Sequence, residues 1–345
     1  MTAQNPSSTL MYSEAQESAA VLTRQFVRNH GTMQRLATEL RKLKPRAVIT
    51  CARGSSDHAA TFAKYLIETR AGTLTSSAAP SISSVYFARQ NLNGCLFLTI
   101  SQSGKSPDLL ATAHAAKEAG AVLVALVNAE DSPLAQMADF CLPLCAGPER
   151  SVAATKSFIA SLAALVHLVA AWTEDAELLS ALADAPVLLE RSWELDWSEA
   201  AKQLRDAEHL FVMARGIGLG IALEAALKCK ETSGLHAEGF SSAEVQHGPQ
   251  ALLGADFPAM MLAQNDETRD GLCNVARDLA DRGVPVWLAG AAVPGTYTLP
   301  TMTCHPVIEP LLMIQSFYKM VNSLAVSRGL NPDQPAHLRK VTETV

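Results

Sequence analysis

Residues 221 to 250, IALEAALKCKETSGLHAEGFSSAEVQHGPQ, concentrate side chains able to move protons. A helix over 221–233 places Glu224, Lys228 and Glu231 at i, i+4 and i+7 on one face, while Leu223, Ala226 and Leu227 point elsewhere. Gly234 stops it. His236, Glu238, Glu244 and His247 follow in a stretch that reads as a polar loop. Carboxylates, imidazoles and a lysine in a small volume are the material of general acid/base catalysis. The plainer reading is a solvated helix pair followed by a wetted loop. The number of titratable groups, and the elements that precede them, favour chemistry.

Those elements belong to a chain of 345 residues, long enough for two cores. Its 48% hydrophobic and 18% charged residues suit a globular protein and exclude a disordered one. A net charge of -6 leaves no basic footprint for nucleic acid or a membrane surface. Seven cysteines, an odd number lying mostly in apolar runs, point to a reduced, cytoplasmic protein. Only Cys141 and Cys145 are close, without further ligands nearby, so no metal is expected. The first residues lack the pattern of a signal peptide. The apolar segment 158–172, interrupted by His167, reads as a buried helix rather than a membrane span.

Periodicity predicts helix over 12–44, broken at Gly31 and ended by Pro45. Apolar strands at 47–51, 95–100, 121–127 and 140–144 then alternate with helices near 57–70, 107–119 and 154–172. A second series has strands at 209–214, 258–263 and 285–289 and helices at 220–233, 267–281 and 310–328. Such alternation predicts an α/β fold with mainly parallel sheets covered on both faces. AVITCARGSS at 47–56 is echoed by HLFVMARGIG at 209–218, each a strand running through Ala-Arg-Gly into a helix, which indicates internal duplication. The expected organisation is a helical segment at 1–45, domains at 46–175 and 207–330 joined by a helical bridge at 176–206, and a tail at 331–345. That tail has two prolines and no apolar period, and its pattern alone predicts mobility.

Three strand-to-helix turns are rich in small hydroxyl residues: Gly54-Ser55-Ser56, Ser101-Gln102-Ser103-Gly104-Lys105-Ser106, and the segment from Val152 and Ala153 to Ser157. At the carboxyl ends of parallel strands, helix N-termini and serine hydroxyls suit a phosphate. Gly216-Ile217-Gly218-Leu219-Gly220 misses the dinucleotide spacing, and no P-loop, nucleophile elbow or HExxH is present. The residues therefore suggest a phosphorylated small molecule held by the first domain, with acid/base groups from the second, and no cofactor.

SQSGKS at 101–106, VAATKSF at 152–158, ALKCKETSGLHAEGFSSAEVQHGP at 226–249 and DQPAHLRKVT at 333–342 together resemble the isomerase half of glucosamine-6-phosphate synthase, built of two sugar isomerase (SIS) domains. The resemblance covers nearly the whole chain. It implies two tandem three-layer α/β/α sandwiches, a homodimer, and a sugar phosphate held by Ser55, Ser56, Ser101, Gln102, Ser103 and Ser106, with Gly54, Val152 and Ala153 lining the same site. It further implies Glu231 as the base between C1 and C2, Lys228 beside it, and His247 in ring opening, often from the neighbouring subunit. Lys340 would sit on a tail that closes over the sugar and reacts with a ketose carbonyl. Lys105 stands where synthases carry an acid, Gln246 where they carry lysine, and Ala154 where they carry serine; no glutaminase segment and no cysteine near Met1 is present. These departures direct the expectation to a stand-alone glucosamine-6-phosphate deaminase yielding fructose 6-phosphate and ammonia. The alternatives are a deglycase for a fructosamine-type phosphosugar, an aldose–ketose isomerase, or a non-catalytic phosphosugar sensor.

Overall fold

The computed structural model describes residues 5–340. The sequence reading of the first four residues and of the tail beyond Lys340 lies outside the described residues. Helices α1 (Leu10–Gln16) and α2 (Ser18–Leu43) come first. They are followed by β1 (Val48–Cys51), α3 (Ser55–Arg70), β2 (Thr75–Ser77), α4 (Ser81–Ser84), β3 (Leu96–Ser101), α5 (Pro107–Glu118), β4 (Val122–Val127), α6 (Pro133–Met137) and β5 (Phe140–Pro143). Helices α7 (Lys156–Thr173), α8 (Ala176–Trp193) and α9 (Ser198–Gln203) fill the expected bridge and its approach. The second series is β6 (His209–Ala214), α10 (Leu219–Ser233), β7 (His236–Ser241), β8 (Ala259–Leu262), α11 (Arg269–Asp281), β9 (Val286–Ala289), β10 (Tyr297–Leu299) and α12 (Glu309–Ser327).

Both sheets are parallel, with strand orders β2-β1-β3-β4-β5 and β10-β9-β8-β6-β7. Read from its β7 edge, the second has the order of the first, so the duplication suggested by the two Ala-Arg-Gly turns extends to topology. In each sheet the order reverses beside the first strand, between β1 and β3 and between β6 and β8. Crevices at the carboxyl ends of such strand pairs are where open parallel sheets bind ligands. The central strands are continuous buried runs, Leu96–Ser101 and Ala259–Leu262 among them, as sheets covered on both faces require.

The chain forms two compact units. One comprises Ala20–Pro148 and Ser157–Ala183 around the first sheet; the other comprises the described residues up to Ala19, Glu149–Lys156 and 184–340 around the second. Helix α7 is apolar and long enough to cross a membrane, but 94% of its apolar window is buried, as expected of a core helix. Its His167 stacks on Phe26 at 4.5 Å, and burial followed by His30 pushes its pKa down to about 4, which keeps the ring neutral.

Three expectations are corrected. Gly31 does not break the first helix: α2 runs unbroken through it, because a single glycine costs only about 1 kcal/mol and the buried face of Val21, Leu22, Met33, Leu36 and Leu40 outweighs that. Edge strands β2 and β10, three residues each, were not anticipated. Nor was 235–250 simply a loop: His236–Ser241 is β7, paired in register with β6 from His209↔His236 to Ala214↔Ser241. This edge strand is polar because His236 and Glu238 face outward, and pairing with β6 rather than its own hydrophobicity makes it a strand.

Gly239 lets β7 lie against α10, since a Cβ there would stand 2.8 Å from Leu223 Cα and 3.0 Å from Leu223 N. Both obstacles are backbone. We therefore expect Gly239→Ala to lower stability by about 1–3 kcal/mol in urea unfolding, the range of an overpacked contact; a midpoint equal to that of the parent would disprove the close approach.

Candidate active site

Helix α10 ends as its sequence predicts: Gly234 adopts the left-handed conformation at φ 58°, and the Leu235 N–H returns to Cys229 O at 3.2 Å. Its Glu224, Lys228 and Glu231 share a face, but not a solvated one. Lys228 Nζ lies 3.3 Å from Glu224 and 2.5 Å from Glu231, with Lys228 and Glu224 side chains 1% and 0% exposed. The surface-pair reading of these two residues therefore fails. On α12, Tyr318 donates its hydroxyl to Glu224 at 3.1 Å. Burial alone would push the Lys228 ammonium down, but the Glu224 and Glu231 carboxylates outweigh it and hold its pKa above the usual lysine range. Burial and the Glu224 carboxylate push the Tyr318 phenol well up, so it stays a neutral donor. Glu231 differs from the others because its side chain is 21% exposed. It is the member of the Glu224–Lys228–Glu231 set that keeps exposed surface.

The segment 149–156 and the described part of the tail belong to the same unit. Lys340 pairs at 2.9 Å with Glu149, whose side chain is fully buried and also accepts the Thr155 N–H at 3.0 Å. The described part of the tail, up to Lys340, is fastened where its pattern alone predicted mobility. Asp333 accepts the N–H groups of Leu10 and Met11 at 2.8 Å each, at the start of α1, and its carbonyl accepts the Val152 N–H at 3.0 Å. Glu14 accepts N–H groups from Arg150 and Ser151. Lys156 is buried and reaches Glu17 at 2.7 Å. Much of the donor capacity of the turn containing Val152 and Ala153 is thus spent on α1 and the tail. Sequence reading missed Glu14, Glu149, Asp333 and Tyr318, for no local pattern marks them.

In the first unit, the two turns at the β1/β3 switch point are built for close approach. Gly54, at φ 55° and ψ -131°, takes a conformation reserved for glycine and delivers Ser55 and Ser56 at the start of α3. Arg53 grips the buried Asp108, near the start of α5, through Nε at 3.0 Å and a terminal nitrogen at 2.8 Å. Across from it, Ser101 ends β3 and accepts the Gly104 N–H at 3.0 Å, and Gly104 turns at φ 63° where a Cβ would strike Ser132. Gln102 and Ser103 are half-buried, and Ser106 is the residue before α5 but makes no side-chain cap, leaving its hydroxyl for other use.

The remaining predicted residues lie apart from this machinery. Glu244 and His247 sit exposed on a 3₁₀ turn, and Glu238 pairs weakly with His236 on the outer face of β7 at 3.7 Å. The cysteines are free thiols, and burial pushes Cys51, Cys229 and Cys304 up to about 12, which leaves them unreactive.

Parallel sheets with glycine-serine turns at a switch point and a cluster of buried charged groups on one helix define a class of α/β protein. Comparison with known proteins identifies it. The SIS domain model matches residues 40–171 and 203–290. A glutamine–fructose-6-phosphate aminotransferase (isomerizing) of Legionella pneumophila (strain Lens) is 32% identical over 310 residues, covering 85% of this chain and 50% of that protein. A Silicibacter pomeroyi DSS-3 protein proposed to be a phosphosugar isomerase is 40% identical with a TM-score of 0.91, covering 94% of this chain and all of that one. The C-terminal domain of glucosamine-fructose-6-phosphate aminotransferase from Francisella tularensis is 26% identical with a TM-score of 0.87, covering 95% and 98%. The chain belongs to the SIS-domain family. It spans about half the length of the aminotransferases it matches.

Replacing Lys228 with Met leaves Glu224 buried without its cation. Stability should fall by about 3–5 kcal/mol at neutral pH, as for other broken buried pairs. The loss should shrink on acidification: a buried Glu224 without the ammonium would have a raised folded pKa, so the variant is favoured at low pH and loses stability as pH rises through that value. A pH-independent loss in urea titrations would count against this assignment.

Proposed function

We propose that the chain is an aldose–ketose isomerase of phosphorylated sugars that carry nitrogen, an aminosugar- or fructosamine-phosphate deglycase, acting through Glu231. The observation that carries this reading is a partly exposed carboxylate bonded at 2.5 Å to a buried, charged lysine. The Lys228 ammonium orients the Glu231 carboxylate, and a carboxylate held in place with exposed surface is what a base removing a proton beside a carbonyl requires. Named activities of the relatives, on fructose 6-phosphate, support a hexose phosphate as the scaffold.

With the ring open, Glu231 takes the proton from C2 of an aminosugar and returns it to C1. The C2–N bond becomes an imine as the C1 carbonyl becomes a hydroxyl. Water adds to the imine, and ammonia leaves a ketose phosphate. For a fructosamine the proton moves from C1 to C2, and hydrolysis of the C1 imine releases the amine and an aldose phosphate. Conversion of glucosamine 6-phosphate to fructose 6-phosphate and ammonia is one member of this class. Ser55, Ser56, Ser101, Gln102, Ser103 and Ser106 are assigned to the phosphate, and Gly54, Val152 and Ala153 to substrate binding. His247 is assigned to ring opening, supplied by the partner in a homodimer, and Lys340 to the far side of the sugar.

A panel of glucosamine 6-phosphate, a phosphorylated fructosamine and nitrogen-free glucose 6-phosphate tests this. Ammonia or amine release is expected from one of the first two, with Glu231→Gln slowing kcat by about 10²–10⁴-fold at little change in KM. Turnover confined to the nitrogen-free sugar would reduce the activity to plain isomerisation. Binding of the panel without turnover of any member would replace the enzyme with a sensor.

A further inference from the structure

The switch point of the second sheet holds a cavity that the proposed reaction does not use. About 390 Å³ in volume, it is lined by Arg215 after β6, Ser242 and Gln246 after β7, and Glu267, Thr268 and Gly271 around the start of α11. It occupies, in the second sheet, the place that the serine turns flank in the first, and Arg215 matches Arg53 in the repeated Ala-Arg-Gly.

The two arginines have different surroundings. Arg53 is locked by Asp108, the second residue of α5. The corresponding second residue of α11 is Asp270, which is exposed and makes no ion pair with Arg215. Among the described residues the half-buried Arg215 guanidinium has no hydrogen-bond or ion-pair partner. Ser242 is only 3% exposed, and its hydroxyl too has no hydrogen bond among the described residues. A cation and a buried hydroxyl facing one cavity without partners bear a desolvation cost that a bound anion would relieve.

The walls are fixed. Gln264, 1% exposed, donates to Arg215 O at 2.8 Å and to Thr268 Oγ1 at 3.0 Å, tying the two sides together. Gly216, at φ 58°, brings the β6 turn to Thr268, and Gly218 makes room for Gln264. The Gln246 amide donates to Ser242 O at 2.8 Å, fixing the third side. Glu267 stands exposed at the mouth, where a carboxylate repels a bare anion but accepts hydrogen bonds from hydroxyl groups.

We propose that this cavity is a second binding site, for a small phosphorylated polyol or sugar, with the phosphate on Arg215 and Ser242 and a ligand hydroxyl on Glu267. A volume of this size admits such a molecule. The site is separate from Glu231 and needs no turnover.

Sorbitol 6-phosphate has no carbonyl to isomerise and serves as the probe, with inorganic phosphate in parallel, in calorimetric titrations of the full chain. A binding component weakened about tenfold or more by Arg215→Met, and also reduced by Ser242→Ala, is expected to persist in Ser101→Ala/Ser103→Ala. Inorganic phosphate should bind it less tightly than the polyol phosphate. Thermal melting of each variant without ligand separates lost binding from lost folding. Binding unchanged in both Arg215→Met and Ser242→Ala overturns the proposal. Failure of the first-sheet reading is distinct: it appears as binding insensitive to the Ser101 and Ser103 changes while the Arg215-dependent component stays.

Discussion

Three charged side chains on one helix, two of them out of contact with water, set the terms for the second unit. Burying Lys228 and Glu224 costs several kcal/mol per ion before any pairing, a penalty that only short, well-oriented contacts offset. Lys228 meets this by touching two carboxylates, and Glu224 by also accepting the Tyr318 hydroxyl. The result is a fixed cation beneath a partly exposed Glu231. A lone surface glutamate would be free to rotate and would be hydrated. Here its orientation is set from below, and the elements around it serve that end: α12 supplies the phenol, β7 packs on α10 through Gly239, and Gly234 closes the helix.

The two sheets show one topology put to different uses. At each switch point a strand runs through Ala-Arg-Gly into a helix. In the first sheet the arginine is consumed by Asp108, so the neighbouring serine hydroxyls and helix N–H groups are what the turns offer a ligand. In the second, the turn after β6 closes on Gln264, while the acid/base groups stand further along α10, at its end rather than its start. Duplication supplied two crevices; the residues around each arginine determine what it can hold.

The legible parts of the sequence were those where local pattern and burial agree. Apolar runs such as CLFLTI and AVLVALV are strands because their flanking helices bury both faces, and the periodicity over 221–233 is a helix with a glycine stop. The illegible parts depend on partners distant in sequence. β7 exists because β6 offers a register, not because HAEGFS is strand-like. Glu149 looks like any loop acid until Lys340 reaches it across the chain, and Tyr318 is hidden in an apolar helix. The stripe of Glu224, Lys228 and Glu231 was visible, but charge alone suggested the solvent side, whereas Glu224 and Lys228 are buried and Leu223 and Leu227 only half-buried.

The tail is the clearest case of a role decided by pairing. Lys340 was expected from resemblance to meet a ketose carbonyl. Its terminal nitrogen instead lies 2.9 Å from Glu149, a carboxylate with no exposed surface, and breaking that contact would take a cation from a buried carboxylate. In this arrangement Lys340 is a tether, the last of several fastenings that include the Asp333 contacts to the start of α1 and the Asp333 carbonyl to Val152. A nucleophilic role would require substrate to displace Glu149 first, so the ion pair makes any such chemistry conditional on the site being filled.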